Sequence, residues 1–187
     1  MSYRTDIVKI ALDEASKPVH WKAFESRILE YFKTSTGHDW KKVNALKISW
    51  CTYFAHWVLA QAKVSPLPAA GNSNELNAVH GSTGRFMKRF GGVYQDYAAA
   101  TRKYTPRPGD LYYRPAHNDH IGVIVAVSAD GKSITTVDGN SGPMGFSPYF
   151  DMSYGRQIGY GFIMKSAGTK ILNEANDIYI ALPDGSR

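Results

Sequence analysis

An α+β fold is what this sequence predicts, and three observations carry it. Helical periodicity is confined to the first third of the chain. The texture turns to short β runs after Pro106-Arg107-Pro108-Gly109-Asp110. The runs that follow are joined by turn residues rather than by helical stretches, so they pair antiparallel instead of through βαβ crossovers. Helices first and antiparallel strands afterwards give helices packed on one sheet.

The elements follow in order. Residues 3 to 16 carry Ile7, Ile10, Ala11 and Ala15 at helical spacing. A second helix follows Pro18, with Trp21, Phe24, Ile28, Leu29 and Phe32 as its apolar stripe, and ends near Gly37. A third begins at about Cys51 and buries Phe54, Ala55, Val58, Leu59 and Ala62. Ser65-Pro66-Leu67-Pro68 stops it. From Gly71 to Tyr104 glycines at 71, 81, 84, 91 and 92 break the pattern. The expectation there is a long, partly helical connection with a short helix near Thr83 to Phe90. Strands are expected at Leu111 to Arg114, His120 to Ser128, Ser133 to Asp138, Ile158 to Lys165 and Ile178 to Leu182. Asp130-Gly131 makes a hairpin turn between the second and third of these.

With 187 residues, 43% hydrophobic and 20% charged, the chain reads as one domain over 1–187 with an ordinary core. Its catalytic core is expected over about 48–165, behind N-terminal helices within 3–36. The formal charge of +6 is concentrated between Arg85 and Arg114, where seven basic residues face Asp96 and Asp110. That surface suits a polyanion. No nucleic-acid module pattern accompanies it, so a bacterial wall polymer is the preferred partner over nucleic acid. Nothing before Asp13 and Glu14 resembles a secretory signal, and the apolar runs near Phe54 to Ala60 and Ile121 to Val127 are too short to span a bilayer. The expectation is a monomer made in the cytoplasm, without a transmembrane segment and carried elsewhere by other machinery.

Cys51 is the only cysteine, so it forms no intrachain disulfide. Its place at a helix start points to reactivity, because unpaired N–H groups and the helix dipole favour thiolate. His120 opens the β run His120-Ile121-Gly122-Val123-Ile124-Val125, and Asp138-Gly139-Asn140 closes the next one. A thiol, an imidazole and a polar orienting group in this order are the parts of a cysteine hydrolase. Asp138 and Asn140 are both candidates to orient the imidazole. Strand alternation puts them on one side if extension continues through Gly139, and Asn140 is slightly preferred. His117 competes as base but reads as loop. His56, five positions after Cys51, is turned off the cysteine's face and reads as a surface or packing residue. Trp50, Tyr53 and His117 flank these groups and are candidates to contact substrate. His117, Asp119 and His120 match no standard zinc spacing.

Trp50-Cys51-Thr52-Tyr53-Phe54, Pro108-Gly109-Asp110, His120-Ile121-Gly122-Val123-Ile124-Val125 and Asp138-Gly139-Asn140 together resemble the CHAP amidase/peptidase pattern. CHAP domains belong with the NlpC/P60 group in the papain-like superfamily. The resemblance implies a papain-like α+β fold and hydrolysis of peptidoglycan, at the sugar–peptide amide or within the stem or cross-bridge peptide. By position it implies Cys51 as nucleophile, His120 as general base and Asp138 or Asn140 as orienting group. Many CHAP domains carry Gln just before the cysteine; here that residue is Trp50, which leaves the Cys51 N–H and an upstream group such as Ser49 to hold an oxyanion. The acidic calcium loop of some CHAP lysins is not visible upstream of Cys51, so no metal or other cofactor is expected. Delivery as a secreted antibacterial effector (for instance through a type VI system), with a cognate immunity protein, or as a phage endolysin, follows from this reading. A papain-fold toxin acting on host protein, and a basic nucleic-acid-binding module without catalysis, are the alternatives.

Overall fold

The computed structural model describes residues 3–17, 25–37, 50–65, 67, 95–98, 104–114, 120–131, 133–141, 150–151, 156–157, 162–165 and 178–182. Among these residues three helices come first: α1 (Tyr3–Ala15), α2 (Glu25–Thr36) and α3 (Cys51–Gln61). Eight strands follow: β1 (Gln95–Ala98), β2 (Leu111–Arg114), β3 (His120–Val127), β4 (Ile134–Ser141), β5 (Phe150–Asp151), β6 (Arg156–Gln157), β7 (Phe162–Lys165) and β8 (Ile178–Ala181). Six of them form one antiparallel sheet in the order β1-β8-β2-β3-β4-β7, while β5 and β6 pair separately. The architecture is α+β, as the segregation of periodicities requires.

Alternation along the central strands divides the sheet into two faces. Leu111, Tyr113, Ile121, Val123, Val125, Val137 and Ile180 point to the helices and join Ile7, Ala11, Ile28, Phe32, Phe54, Val58 and Leu59 in the main core. Tyr112, Ile124, Ile134 and Tyr179 form a second cluster on the other face. Helix α3 is apolar on all sides, and every residue from Cys51 to Leu59 is buried. Such a helix belongs in the middle of a domain. α1 and α2 flank it, and the strands cover the rest.

Two buried carboxylates fasten the helices. Glu14 of α1 is 1% exposed and accepts from Tyr31 (2.6 Å), Lys17 (2.6 Å) and Arg27 Nη2 (2.8 Å). Arg27 also lies over the Trp57 ring at 4.6 Å, tying α2 to α3. Asp110 has no exposed surface and accepts from Arg4 (2.6 Å), Tyr104 (2.7 Å) and the N–H groups of Arg107 (2.7 Å) and Leu182 (3.0 Å). Pro108-Gly109-Asp110 is therefore a structural junction. Its turn closes through Asp110 N–H to the Arg107 carbonyl at 3.0 Å, with Gly109 at φ +93. A Cβ at Gly109 would stand 2.9 Å from the Arg4 Cα, so glycine is required twice over.

Several expectations change. β1 lies where a partly helical connection was expected; Gln95-Asp96-Tyr97-Ala98 lacks an alternating pattern and is drawn into a strand by pairing with β8. The third expected strand does not end at Asp138 but runs to Ser141, with a register irregularity between the two. β7 covers Phe162–Lys165 of the expected strand, whose residues 158–161 lie outside the described residues, and β5 and β6 were not anticipated. The expected helix near Thr83 to Phe90, and Trp21 and Phe24 of the second helix's stripe, lie outside the described residues. His56 is a packing residue: it is 2% exposed, and its Nδ1 lies 3.1 Å from Ser35 Oγ on α2.

The Glu14 cluster makes acid stability testable. Burial works against the charged carboxylate, but hydrogen bonds from Arg27, Lys17 and Tyr31 outweigh it and lower its pKa from 4.5 to about 2. A depressed carboxylate pKa contributes stability above its ordinary value, and that stability drains away as pH falls toward about 2. Urea midpoints measured between pH 5 and 2.5 are expected to fall steeply for the native chain and more shallowly for Glu14→Gln. At neutral pH, Glu14→Ala is expected to cost about 3 kcal/mol, because it strands partly buried cations.

Candidate active site

Cys51 is the first residue of α3 and is 1% exposed. Intrahelical bonding begins with the Phe54 N–H on the Trp50 carbonyl at 3.0 Å, so the Cys51 N–H lies ahead of it. Trp50 caps the helix by backbone position only and gives no side-chain cap bond. Partial positive charge at this end therefore acts at the thiol.

The helix start is seated by Gly139. A Cβ there would lie 2.6 Å from the Phe54 Cβ and 2.8 Å from its Cγ. The missing side chain lets the first turn of α3 settle directly on β4. Gly139 faces the helices, so its neighbour Asp138 faces the second cluster.

Asp138 is 2% exposed. Its Oδ1 accepts the Tyr112 hydroxyl at 2.5 Å, and its Oδ2 accepts the Thr136 hydroxyl at 3.1 Å. The same Oδ1 stands 3.8 Å from His120 Nε2. Room for it comes from Gly122: a Cβ on that residue would lie 2.0 Å from Asp138 Oδ1 and 2.6 Å from Tyr112 Cε1. The glycine two residues after His120 is thus the gap through which a carboxylate on β4 reaches the imidazole on β3.

His120 opens β3 with its side chain 19% exposed, while Nε2 itself is buried and makes no hydrogen bond. Burial disfavours the imidazolium. The nearby Asp138 carboxylate and Cys51 thiol outweigh that penalty, and the pKa rises to about 10. Thiol, imidazole and carboxylate thus act on one another electrically. Tyr53 feels the same thiol: burial first, and then Cys51, push its hydroxyl up to about 12.

Asn140 departs from expectation. Its φ of +55 is left-handed, so the extended backbone is interrupted at Asn140 itself, and alternation no longer pairs its side chain with Asp138. The sequence assumption of a straight strand could not show this. Of the residues expected to meet substrate, Trp50 is corrected: its ring has no exposed surface and stacks on Tyr31 at 6.0 Å between centroids. Tyr53 is 8% exposed and packs on Phe32 at 4.2 Å. His117, Asp119 and Ser49 lie outside the described residues. Tyr112 and Thr136 were missed by sequence reasoning; the signal available was their parity with Asp138 and Gly122 on neighbouring strands. Among the described residues, no group of three or more His, Cys, Asp or Glu side chains could hold a metal ion.

The family model for the CHAP domain matches residues 31–140, a span that contains Cys51, His120 and Asp138. This chain belongs to the CHAP family. Comparison with curated proteins and with solved structures finds no match. CHAP domains are typically cysteine- and histidine-dependent amidohydrolases, and membership supports a peptidoglycan hydrolase kind of function, amidase or peptidase. No helix among the described residues is long and apolar enough to cross a membrane.

The Gly122 gap yields a prediction. Gly122→Ala places a methyl group where Asp138 Oδ1 now lies, so the carboxylate must leave His120. Activity on peptidoglycan is expected to fall at least a hundredfold while circular dichroism still reports a folded protein. Retention of near-native activity would show that Asp138 does not need this position.

Proposed function

We propose that the protein is a cysteine hydrolase that cleaves an amide bond of peptidoglycan with Cys51 as nucleophile, His120 as general base and Asp138 as orienting group. The observation that carries the reading is His120 Nε2, which stands 3.8 Å from the buried Asp138 carboxylate on a strand packed against the helix that Cys51 heads. With Nε2 facing Asp138, the carboxylate favours a proton on that nitrogen. The gap of 3.8 Å is one that substrate binding closes to a hydrogen bond.

His120, its proton affinity raised by Asp138 and Cys51, already holds the Cys51 proton in the resting pair, and the thiolate Sγ attacks the amide carbonyl. The Cys51 N–H and the positive end of α3 stabilise the oxyanion. The imidazolium then protonates the departing amine, and water, deprotonated by His120, hydrolyses the thioester and restores the thiol. The thiol has almost no exposed surface in this conformation, whereas His120 is partly open. Substrate therefore approaches along the imidazole edge and displaces the cover over Sγ.

Asp138 is favoured over Asn140 as third member because its carboxylate faces Nε2 and carries charge, and because left-handed backbone at Asn140 turns that residue out of the strand's alternation. The net charge of +6 suits an anionic wall polymer. The wall lies outside the cell's cytoplasm, so this activity requires delivery to the periplasm or wall of a target bacterium. We favour a secreted antibacterial effector over a phage endolysin; an effector brings a cognate immunity protein, and the Cys51–His120 site is the surface such a partner would cover.

Purified sacculi incubated with the native chain are expected to release muropeptides whose new termini, read by mass spectrometry, identify the bond. Cys51→Ala and His120→Ala are expected to release none. Asp138→Asn is expected to lose more turnover than Asn140→Ala, because the amide keeps shape and loses charge. Release by Cys51→Ala at the native rate would overturn the nucleophile and the reading with it.

A further inference from the structure

Tyr112 has no exposed surface, and its hydroxyl donates to the Asp138 oxygen that faces His120. The proposed chemistry gives that hydroxyl no task, and packing does not need it. The ring alone fills its place beside Ile124, Ile134 and Tyr179, which phenylalanine would do equally well. Its position is fixed from two sides. Tyr112 pairs with Gly122 across the β2–β3 ladder, and the missing Cβ of Gly122 admits both the tyrosine ring and the carboxylate. Thr136, two residues before Asp138 on the same strand, bonds the other oxygen at 3.1 Å.

A carboxylate bonded at both oxygens cannot rotate about its Cβ–Cγ bond without breaking one of them. We propose that Tyr112 is a positioning residue of the active site: with Thr136 it clamps the Asp138 carboxylate in the orientation that holds His120 for Cys51. The clamp rests on the hydrolase reading above. Two consequences follow. Orientation of the imidazole acts on turnover rather than on binding. A donor hydrogen bond also favours the ionised form of a buried carboxylate, so losing it raises the pH at which Asp138 takes up a proton. The ionisable groups around His120 among the described residues are Cys51 from α3, Asp138 from β4, Tyr112 from β2 and Arg114, its partner in the β2–β3 ladder.

The test uses the full chain, dye-labelled sacculi and rates measured against pH for native protein, Tyr112→Phe, Thr136→Val and Cys51→Ala, with melting curves for each. Tyr112→Phe is expected to lower the saturated rate about tenfold. It is also expected to move the acid limb of the profile up by about one pH unit, while the lost hydrogen bond lowers its melting temperature by only a few degrees and the protein stays folded at the assay temperature. Thr136→Val, which frees the oxygen farther from the imidazole, moves the limb the same way by less. An unmoved acid limb in Tyr112→Phe, or a loss of rate that only follows a loss of folded protein, overturns the clamp. Should Tyr112→Phe fail to fold, Thr136→Val decides: a raised limb supports the clamp and an unmoved one overturns it. Inert Cys51→Ala beside a native-like Tyr112→Phe refutes the clamp alone, whereas dye release by Cys51→Ala refutes the hydrolase reading beneath it.

Discussion

A carboxylate with 2% of its surface exposed has to be bonded, and the rest of the site is arranged around satisfying Asp138. Leaving a buried charge unpartnered costs several kcal/mol, more than a domain of this size can spare. Tyr112 and Thr136 supply hydroxyl donors, and His120 supplies an ionisable partner at 3.8 Å. Gly122 is then compulsory, since any side chain there would occupy the place of the carboxylate. One electrostatic obligation thus explains residues on three adjacent strands and the spacing of glycine two places after the histidine.

The proposed nucleophile, Cys51, is positioned by a different constraint, apolar packing. Helix α3 is buried all round, and its first turn reaches β4 because Gly139 leaves room for Phe54. Asp138 and Gly139 therefore act on opposite faces of one strand: the first meets the imidazole, and the second admits the helix that carries the thiol. Asp110, clamped by Arg4, Tyr104 and the Leu182 N–H, holds α1, the turn before β2 and the end of β8 together. The Pro-Gly-Asp segment thereby fixes the start of β2, the strand on which Tyr112 stands.

What the sequence disclosed was whatever local chemistry announces. Helical periodicity located α1 and α3, the change to apolar β texture after Pro106-Arg107-Pro108-Gly109-Asp110 located β2 and β3, and Asp130-Gly131 marked a hairpin in which Gly131 adopts φ +67. Thiol and imidazole were readable because each stands at the start of an element, while the acid lies inside β4 and was marked by the Asp-Gly-Asn segment. Strand β1 was not readable: its four residues carry no alternation, and only distant β8 makes them a strand. Asp138 and Asn140 could not be separated, since the left-handed turn at Asn140 is a backbone event that alternation does not foresee. Trp50 looked like a substrate contact because it adjoins the cysteine, yet a ring at an N-cap position packs back on Tyr31. The hydroxyls of Tyr112 and Thr136 were invisible for want of a register between strands.

Family membership and the site's electrostatics converge on an imidazole that holds its proton through the combined pull of a thiol and a carboxylate. The most direct measurement is an NMR titration of the His120 ring in the native chain, Cys51→Ala and Asp138→Asn. The account predicts an imidazolium that persists well above neutral pH in the native protein and titrates lower in each variant. A His120 ring that titrates near the ordinary histidine value, about 6.5, and does so equally in all three proteins, would contradict it.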